Sequence, residues 1–243
     1  MKIRFLLLQA RRQDDPMASH ELACIASKLT ITPEELQVHN ALSSPPPASL
    51  LDHADALLIG GSGDYSVHHV AGQRWVAPCR DFVHEALERR VPGFGICFGH
   101  QLLGQVLGAT VITDSERTEI GTVDLELTTA GQSDPLFGQL PSTFRAQTGH
   151  SDRVVSTPER AELMVSGAVV DTQAFRVKGC EFFSAQFHPD LTGGQARERY
   201  MAYRDKLEGH AAAHAETQAN RFSTERDAGS KMLGLFASYV QNR

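Results

Sequence analysis

The segment from Val91 to Thr110 constrains the fold of this chain more than any other. It begins with a short apolar run, passes through the sequence GICFG at Gly95–Gly99, and continues as an amphipathic stretch that ends at Gly108. Glycines two residues before and two residues after Cys97 permit a sharp turn from a strand into a helix, with the central side chain exposed. The segment therefore predicts a strand, a nucleophile-type turn and a helix.

Apolar runs of strand length alternate with helical patterns along most of the chain. The runs at Lys2–Leu8, Ala54–Ile59 and Glu181–Phe187 are continuous, as in strands buried on both faces. This alternation predicts an α/β fold with three layers, in which helices flank a mostly parallel central sheet. The stretches Thr122–Thr128 and Phe144–Val155 alternate more strictly between polar and apolar residues, and they predict antiparallel additions to that sheet.

Composition narrows the class of protein. The chain has 243 residues, of which 41% are hydrophobic, and a formal net charge of −6. This is enough apolar material for a sizeable core, while the acidic balance argues against a nucleic acid or an anionic membrane as a partner. No apolar run approaches the ~20 residues that span a bilayer, and the N-terminal run is interpreted as a first strand because no small-residue cleavage site follows it. Four cysteines without a CxxC pair indicate a cytoplasmic location, with no disulfide framework and no zinc site.

The character of the sequence changes after Gly194. Residues 1–194 are predicted to form the main domain, and residues 195–243 a helical C-terminal extension packed on it. The part from Ala196 to Arg226 is charged and rich in alanine. Apolar residues then return at helical spacing and predict a closing helix, at Met232, Leu233, Phe236 and Val240.

Cys97 is the candidate nucleophile, although most cysteines are small buried hydrophobes. The helix that follows Cys97 directs its free N–H groups toward the sulfur, which favours the reactive thiolate. A cysteine nucleophile needs a base and an orienting group. His188 follows an apolar strand and is expected at the carboxyl edge of the same sheet, where open α/β sheets place their sites. Asp190 can reach back to the imidazole.

Two motifs resemble those of the class I, triad-type glutamine amidotransferases, Gly-x-Cys-x-Gly-His-Gln and a late His-Pro-Glu. The chain has GICFGHQ at Gly95–Gln101 and HPD at His188–Asp190. The resemblance covers roughly residues 1–192 and is greatest to stand-alone domains similar to the amidotransferase half of GMP synthetase, without an ATP-pyrophosphatase segment. It implies a flavodoxin-like fold. Asp190 departs from the family pattern, because the usual glutamate is one methylene longer.

The resemblance also implies roles for individual residues. Cys97 would attack the side-chain amide of glutamine, form a γ-glutamyl thioester and release ammonia. His188 would move the protons, and Asp190 would hold its ring in the useful tautomer. The oxyanion donors would be the backbone N–H groups of Gly61, in the glycine-rich turn after the Ala54–Ile59 strand, and of Phe98.

Substrate contacts are implied for Gln101 and for the segment containing Gly149, His150 and Ser151. A polar residue in the first turn of a helix and a polar hairpin turn are the alternative interpretations. No metal is expected, because the histidines at 68–69 and at 210 and 214 have no acidic or cysteine partners at ligand spacing. No cofactor is expected either, because the turn GSG at 61–63 is followed by DYS and does not continue as a dinucleotide-binding G-x-G-x-x-G.

Three functions remain in competition. The first is a glutamine amidotransferase that releases ammonia from glutamine, and the expected acceptor of that ammonia is a synthase subunit. The second is a γ-glutamyl peptidase or hydrolase, in which water resolves the same thioester. The third is a non-catalytic binding relative of the same fold, and its only support is the departure at Asp190.

Overall fold

The structure is a computed structural model that describes residues 2–68, 74–203 and 215–243. Its strands are β1 (Phe5–Gln9), β2 (Gln37–Asn40), β3 (Ala56–Ile59), β4 (Gly93–Ile96), β5 (Val111–Thr113), β6 (Glu119–Leu127), β7 (Thr143–His150), β8 (Asp152–Val154), β9 (Ala161–Gly167), β10 (Ala174–Val177) and β11 (Phe182–Ala185). Its helices are α1 (Met17–Leu29), α2 (Val76–Glu88), α3 (Phe98–Val106), α4 (Thr129–Ser133), α5 (Gly193–Ala202), α6 (Ala215–Ala219) and α7 (Met232–Gln241). Within those three ranges, no helix is long and apolar enough to cross a membrane.

The central sheet is mixed. In the described part of the chain it contains nine strands, in the order β2-β1-β3-β4-β11-β10-β9-β6-β7. The pairings from β2 through β1, β3 and β4 to β11 are parallel, and those from β11 onward to β7 are antiparallel. The predicted α/β architecture is confirmed, with a parallel half that carries the helical crossovers and an antiparallel half that extends it.

The antiparallel half is larger than the sequence predicts. Strands β9 and β10 are missing from the prediction, because apolar and polar residues do not alternate regularly over β9. The predicted strand at Phe144–Val155 is two strands, β7 and β8, since the chain changes partner at Ser151: β7 pairs with β6, whereas β8 pairs with β5 in a separate two-stranded sheet.

Helices cover the two faces of the parallel half. In β1, Leu7 belongs to the apolar cluster that includes Ile25 of α1 and Phe236 of α7. Its neighbour Leu6 belongs to the cluster on the opposite face, under α2 and α3. Because successive side chains of a strand point to opposite faces, one continuous apolar strand supplies both cores. This gives the predicted three layers.

The closing helix α7 completes one of these cores, as the apolar spacing after Met232 predicts. Phe236 is fully buried, and its ring centroid lies 5.6 Å from that of Phe94 in β4 and 6.1 Å from that of Phe183 in β11. The residues of the candidate site directly follow these two strands. The division into units at residue 194 stays a prediction.

We expect Phe236→Ala to lower the free energy of unfolding by roughly 3–5 kcal/mol, because it leaves a cavity against two strands of the sheet. Urea denaturation followed by circular dichroism measures the change. Val169→Ala is the control, since this side chain is 46% exposed and its truncation should change stability by less than about 0.5 kcal/mol. Equal stability of the parent and Phe236→Ala would show that α7 is not part of the core.

Candidate active site

Cys97 lies at the junction of a strand and a helix, where the sequence predicts it. It follows the last residue of β4 and precedes the first residue of α3, with φ 49° and ψ −98°. A non-glycine residue in this region of backbone space is strained, and such strain persists only where the surrounding structure fixes it. Here the Cys97 N–H donates to the carbonyl oxygen of Ala185 in β11 at 2.8 Å, which ties the turn to the neighbouring strand.

The two glycines of the turn are required by close backbone packing. A Cβ atom on Gly95 would lie 2.6 Å from the carbonyl oxygen of Gly99. A Cβ atom on Gly99 would lie 2.5 Å from the carbonyl oxygen of Ile59, at the end of β3. Both distances are shorter than real Cβ contacts, so only glycine lets α3 begin this close to β3 and β4.

His188 and Asp190 follow β11 and come to the same edge of the sheet as Cys97. The parallel pairing of β4 with β11 places Ile96 opposite Ala185, so both chains leave the sheet at the same level. The Nδ1 atom of His188 lies 3.1 Å from Oδ1 of Asp190. A hydrogen bond at Nδ1 leaves Nε2 as the ring nitrogen that can exchange protons with a reacting group.

The environment of His188 favours the imidazolium form. Burial acts to lower the pKa of His188, but the charge of Asp190, the hydrogen bond to it and the interaction with Cys97 outweigh burial and raise that pKa to about 9. A protonated imidazole beside the sulfur can stabilise a thiolate and can supply a proton to a leaving group.

Arg199 is a functional candidate that the sequence does not predict. Its Nη1 donates to Oδ2 of Asp190 at 2.9 Å, so the carboxylate is held between His188 and Arg199. Burial acts to raise the pKa of Asp190, but the charges of Arg199 and His188 together hold that pKa well below its usual range. Arg199 lies in α5, only two residues from Arg197, which is exposed, and nothing in a single sequence distinguishes the two arginines.

Gly61 lies beside two of the three candidate catalytic side chains, those of Cys97 and His188. A Cβ atom on Gly61 would be 3.3 Å from Cε1 of His188 and 3.9 Å from Cβ of Cys97. Its N–H, however, donates to Oε1 of Glu21 at 3.1 Å. The N–H of Phe98, the other predicted oxyanion donor, belongs to the first residue of α3, where no acceptor exists within the helix.

Glu21 is a second residue that the sequence analysis missed. It is fully buried on α1 and accepts from Nε of Arg11 at 3.0 Å and from Nη2 of Arg11 at 3.2 Å, in addition to the Gly61 N–H. A signal for it exists, because Glu21 lies four residues before Ile25 and so falls on the apolar face of the helix. A carboxylate within an apolar stripe indicates a buried partner.

Gln101 is buried and has protein partners. Its Nε2 donates to the backbone carbonyl oxygen of Asp152 at 3.0 Å and to Oε1 of Gln186 at 3.2 Å. Any contact between Gln101 and a substrate would therefore have to use Oε1. The role of Gln101 in substrate binding stays a prediction.

The three residues from Gly149 to Ser151 differ in their position relative to the site. Gly149 is exposed and lines a cavity, and a Cβ atom on it would meet nothing within 4 Å. The side chain of His150 instead lies in the interior, with Nε2 3.1 Å from Oε2 of Glu119. Ser151 accepts a hydrogen bond from the hydroxyl of Thr118 at 2.9 Å. Only Gly149 of these three candidates lines the cavity.

The cavity borders His188 and has a volume of about 130 Å³. One wall comes from the loop after β3 and from β7, at Ser62, Gly63, Gln147, Thr148 and Gly149. A further part of the lining comes from the predicted C-terminal extension, at Ala196, Arg199, Tyr200, Tyr203 and Phe222. Cys97 is 6% exposed and is not among the described residues that line the cavity. The extension thus forms part of the site.

Among the described residues, no group of three or more histidine, cysteine, aspartate or glutamate side chains could hold a metal ion. His68 contacts the Ser66 hydroxyl through Nδ1 at 2.7 Å. The other histidines considered for metal binding, at 69, 210 and 214, lie outside the described residues.

The chain is thus an α/β protein with a candidate site in which a cysteine on a strained strand-to-helix turn lies near a histidine–carboxylate pair that follows the adjacent parallel strand. The family model described as Glutamine amidotransferase class-I matches residues 17–205. The chain belongs to this family.

Relatives and solved structures agree with this assignment. The chain is 31% identical over 145 residues to a subunit of the glutamine-hydrolyzing GMP synthase of Sulfurisphaera tokodaii, covering 60% of this chain and 72% of that protein. It is 32% identical over 165 residues to the glutamine-hydrolyzing GMP synthase of Streptomyces coelicolor, covering 67% of this chain but only 30% of that longer protein. The crystal structure of a glutamine amidotransferase from Thermotoga maritima shares the fold, with a TM-score of 0.73, 20% identity and 99% of both chains covered.

We expect Arg199→Met to lower the free energy of unfolding at pH 7 by roughly 3–5 kcal/mol, because the buried Asp190 carboxylate loses one of its two cationic partners. Urea denaturation measures the change. The double variant Arg199→Met/Asp190→Asn removes both charges and should recover much of the loss. Arg197→Met is the matched control on the same helix and should change stability by less than about 1 kcal/mol. A double variant as unstable as the single one would contradict the proposed charge pair.

His188 should make stability depend on pH. Because its pKa is raised to about 9 in the folded protein, its contribution is fully present below the unfolded value of ~6.5 and is lost as the pH rises through about 9. We expect the destabilisation by His188→Asn to be largest near pH 6 and to shrink toward pH 9.5 in urea titrations. His53→Asn, at an exposed position, is the control. A difference between parent and His188→Asn that grows with pH would show the opposite sign of coupling.

Proposed function

We propose that this chain hydrolyses the side-chain amide of glutamine, with Cys97 as nucleophile, His188 as proton carrier and Asp190 as orienting acid. The observation that carries the proposal is the convergence of the three residues at one edge of the sheet, with His188 hydrogen-bonded to Asp190 and coupled to Cys97. Membership of the glutamine amidotransferase family supports glutamine as the substrate.

The first half of the reaction forms a thioester. The thiolate of Cys97 attacks the side-chain amide carbon, and the carbonyl oxygen becomes an oxyanion. The imidazolium of His188 donates its proton to the amide nitrogen, the carbon–nitrogen bond breaks, and ammonia leaves. Because the raised pKa of His188 keeps the ring protonated at neutral pH, the proton is in place when the leaving group needs it.

The second half returns the enzyme to its starting state. The now neutral His188 accepts a proton from a water molecule, and the resulting hydroxide attacks the γ-glutamyl thioester. The carbon–sulfur bond breaks, glutamate leaves, and the thiolate–imidazolium pair is restored. Asp190 keeps the ring in place through Nδ1 in both halves, and Arg199 keeps Asp190 ionised and fixed.

The oxyanion needs backbone donors. The N–H of Phe98 supports this role, because it lies at the start of α3 directly after the nucleophile. The N–H of Gly61 lies next to the reacting groups but donates to Glu21. Gly61 can therefore act as the second donor only if its N–H leaves Glu21 when substrate binds.

Family membership supports glutamine over a γ-glutamyl peptide as the substrate. Relatives named as GMP synthase subunits support transfer of the released ammonia to a synthase subunit. The spacing of the four cysteines in the sequence supports a reducing, cytoplasmic location.

The test measures ammonia release from glutamine together with covalent labelling of Cys97 by a glutamine analogue that carries an electrophilic carbon. Cys97→Ala should abolish both, and His188→Ala should reduce turnover by up to about 10⁶. Asp190→Ala should reduce turnover by less, at most about 10⁴, because an already partly ionised thiol depends less on the orienting acid. Asp190→Glu should retain activity.

Two outcomes separate the competing functions. Faster release of amine from a γ-glutamyl dipeptide than of ammonia from glutamine would favour the peptidase. Absence of a Cys97 adduct in a folded parent protein would favour the non-catalytic relative. If Asp190→Ala labels as fast as the parent whereas His188→Ala does not, Asp190 is not the orienting acid.

A further inference from the structure

Gln186 places an amide group against the nucleophile. It is fully buried and lies one residue past the end of β11, with its backbone N–H donating to the carbonyl oxygen of Gln173 at 2.8 Å. Its Nε2 lies 3.6 Å from the sulfur of Cys97. Gln186 and His188 both lie in the short segment that follows β11, and both interact with Cys97.

The orientation of this amide follows from its neighbours. The backbone carbonyl of Asp152 can only accept, so it fixes the amino end of Gln101 toward itself at 3.0 Å. The second N–H of the same nitrogen then faces Oε1 of Gln186 at 3.2 Å. With its oxygen directed at Gln101, the Gln186 amide must present N–H to the sulfur of Cys97. The backbone carbonyl of Asp152 thus fixes the orientation of the Gln101 amide, which in turn fixes that of the Gln186 amide.

We propose that Gln186 is a further catalytic residue, whose N–H stabilises the Cys97 thiolate, and that Gln101 is a positioning residue that holds Gln186 in this orientation. The proposal rests on the thiolate chemistry given under the proposed function. A hydrogen bond to an ionised acceptor is stronger than one to a neutral acceptor, so a fixed donor favours thiolate over thiol. The amide transfers no proton and needs no co-reactant.

This assignment changes what a variant at Gln101 is expected to do. Both N–H bonds of Gln101 are directed at protein acceptors, and the effect of Gln101 on the nucleophile is transmitted through Gln186. A residue that only binds glutamine would alter KM for glutamine and leave the reactivity of the sulfur unchanged. A residue that orients Gln186 alters the reactivity of the sulfur even without substrate.

The test is the rate of Cys97 alkylation by iodoacetamide between pH 5 and pH 10, followed by mass spectrometry of the Cys97 peptide. Iodoacetamide carries neither the α-ammonium nor the α-carboxylate of glutamine, and thiolate is the reactive form. We expect Gln186→Met to move the midpoint of the profile upward by about one pH unit, so that alkylation below the midpoint slows about tenfold. Gln186→Glu, which directs only acceptors at the sulfur, should move it further.

Gln101→Ala should move the midpoint in the same direction by a smaller amount. If the Gln186 variants do not fold, the Gln101→Ala profile alone tests the proposal.

Gln195→Glu is the control for an added carboxylate near the site. Glutamate preserves the capping-box interaction of this residue with Thr192, and the midpoint should stay at the parent value. Profiles of Gln186→Met and Gln101→Ala identical to that of the parent would overturn the proposal.

Ammonia release from glutamine is measured on the same proteins. If the parent releases no ammonia but the variants still shift the alkylation midpoint, the role of Gln186 is supported and the proposed function is contradicted. If the parent is active but the variants have the parent's midpoint, the proposed function stands and the role of Gln186 is contradicted.

Discussion

The parallel pairing of β4 with β11 is the constraint on which the site depends. It sets Ile96 opposite Ala185, and the next N–H along, that of Cys97, donates to the carbonyl of Ala185 at 2.8 Å. Cys97 and the segment that carries Gln186 and His188 therefore leave the sheet together. Since β4 and β11 lie far apart in sequence, only their long-range pairing brings these side chains close together, and α7 packs on both strands.

Two buried carboxylates near this edge, those of Asp190 and Glu21, are surrounded by hydrogen-bond donors. Asp190 lies between His188 and Arg199, and Glu21 accepts from Arg11 and from the Gly61 N–H. Burying a carboxylate without partners is strongly unfavourable, and both carboxylates have cations or N–H donors within hydrogen-bond distance. Asp190, although one methylene shorter than the usual glutamate of the family, still reaches Nδ1 of His188, and Arg199 holds its other oxygen.

A strained backbone and fixed hydrogen-bond donors make the same edge suited to nucleophilic chemistry. Cys97 is held at positive φ by close packing of Gly95 and Gly99, which costs conformational energy that the sheet and helix must offset. This backbone conformation places the sulfur at a helix N-terminus and near the Gln186 amide. The predicted extension contributes Arg199 and one wall of the cavity, so the site belongs to the whole described fold rather than to residues 1–194 alone.

The sequence by itself determined the parts of this protein that depend on local chemistry. Glycine spacing identified the turn at Cys97, apolar runs identified the four buried parallel strands β1, β3, β4 and β11, and helical spacing identified α7. Tertiary structure alone decided the partners of side chains distant in sequence: Arg199 for Asp190, Glu21 for the Gly61 N–H, and Gln186 for Cys97. It also decided the presence of β9 and β10 in the antiparallel half of the sheet, since β9 lacks a regular alternation. The physical reason is that glycine and apolar periodicity act on the backbone within a few residues, whereas the pairing of buried polar groups is fixed only when the strands have assembled.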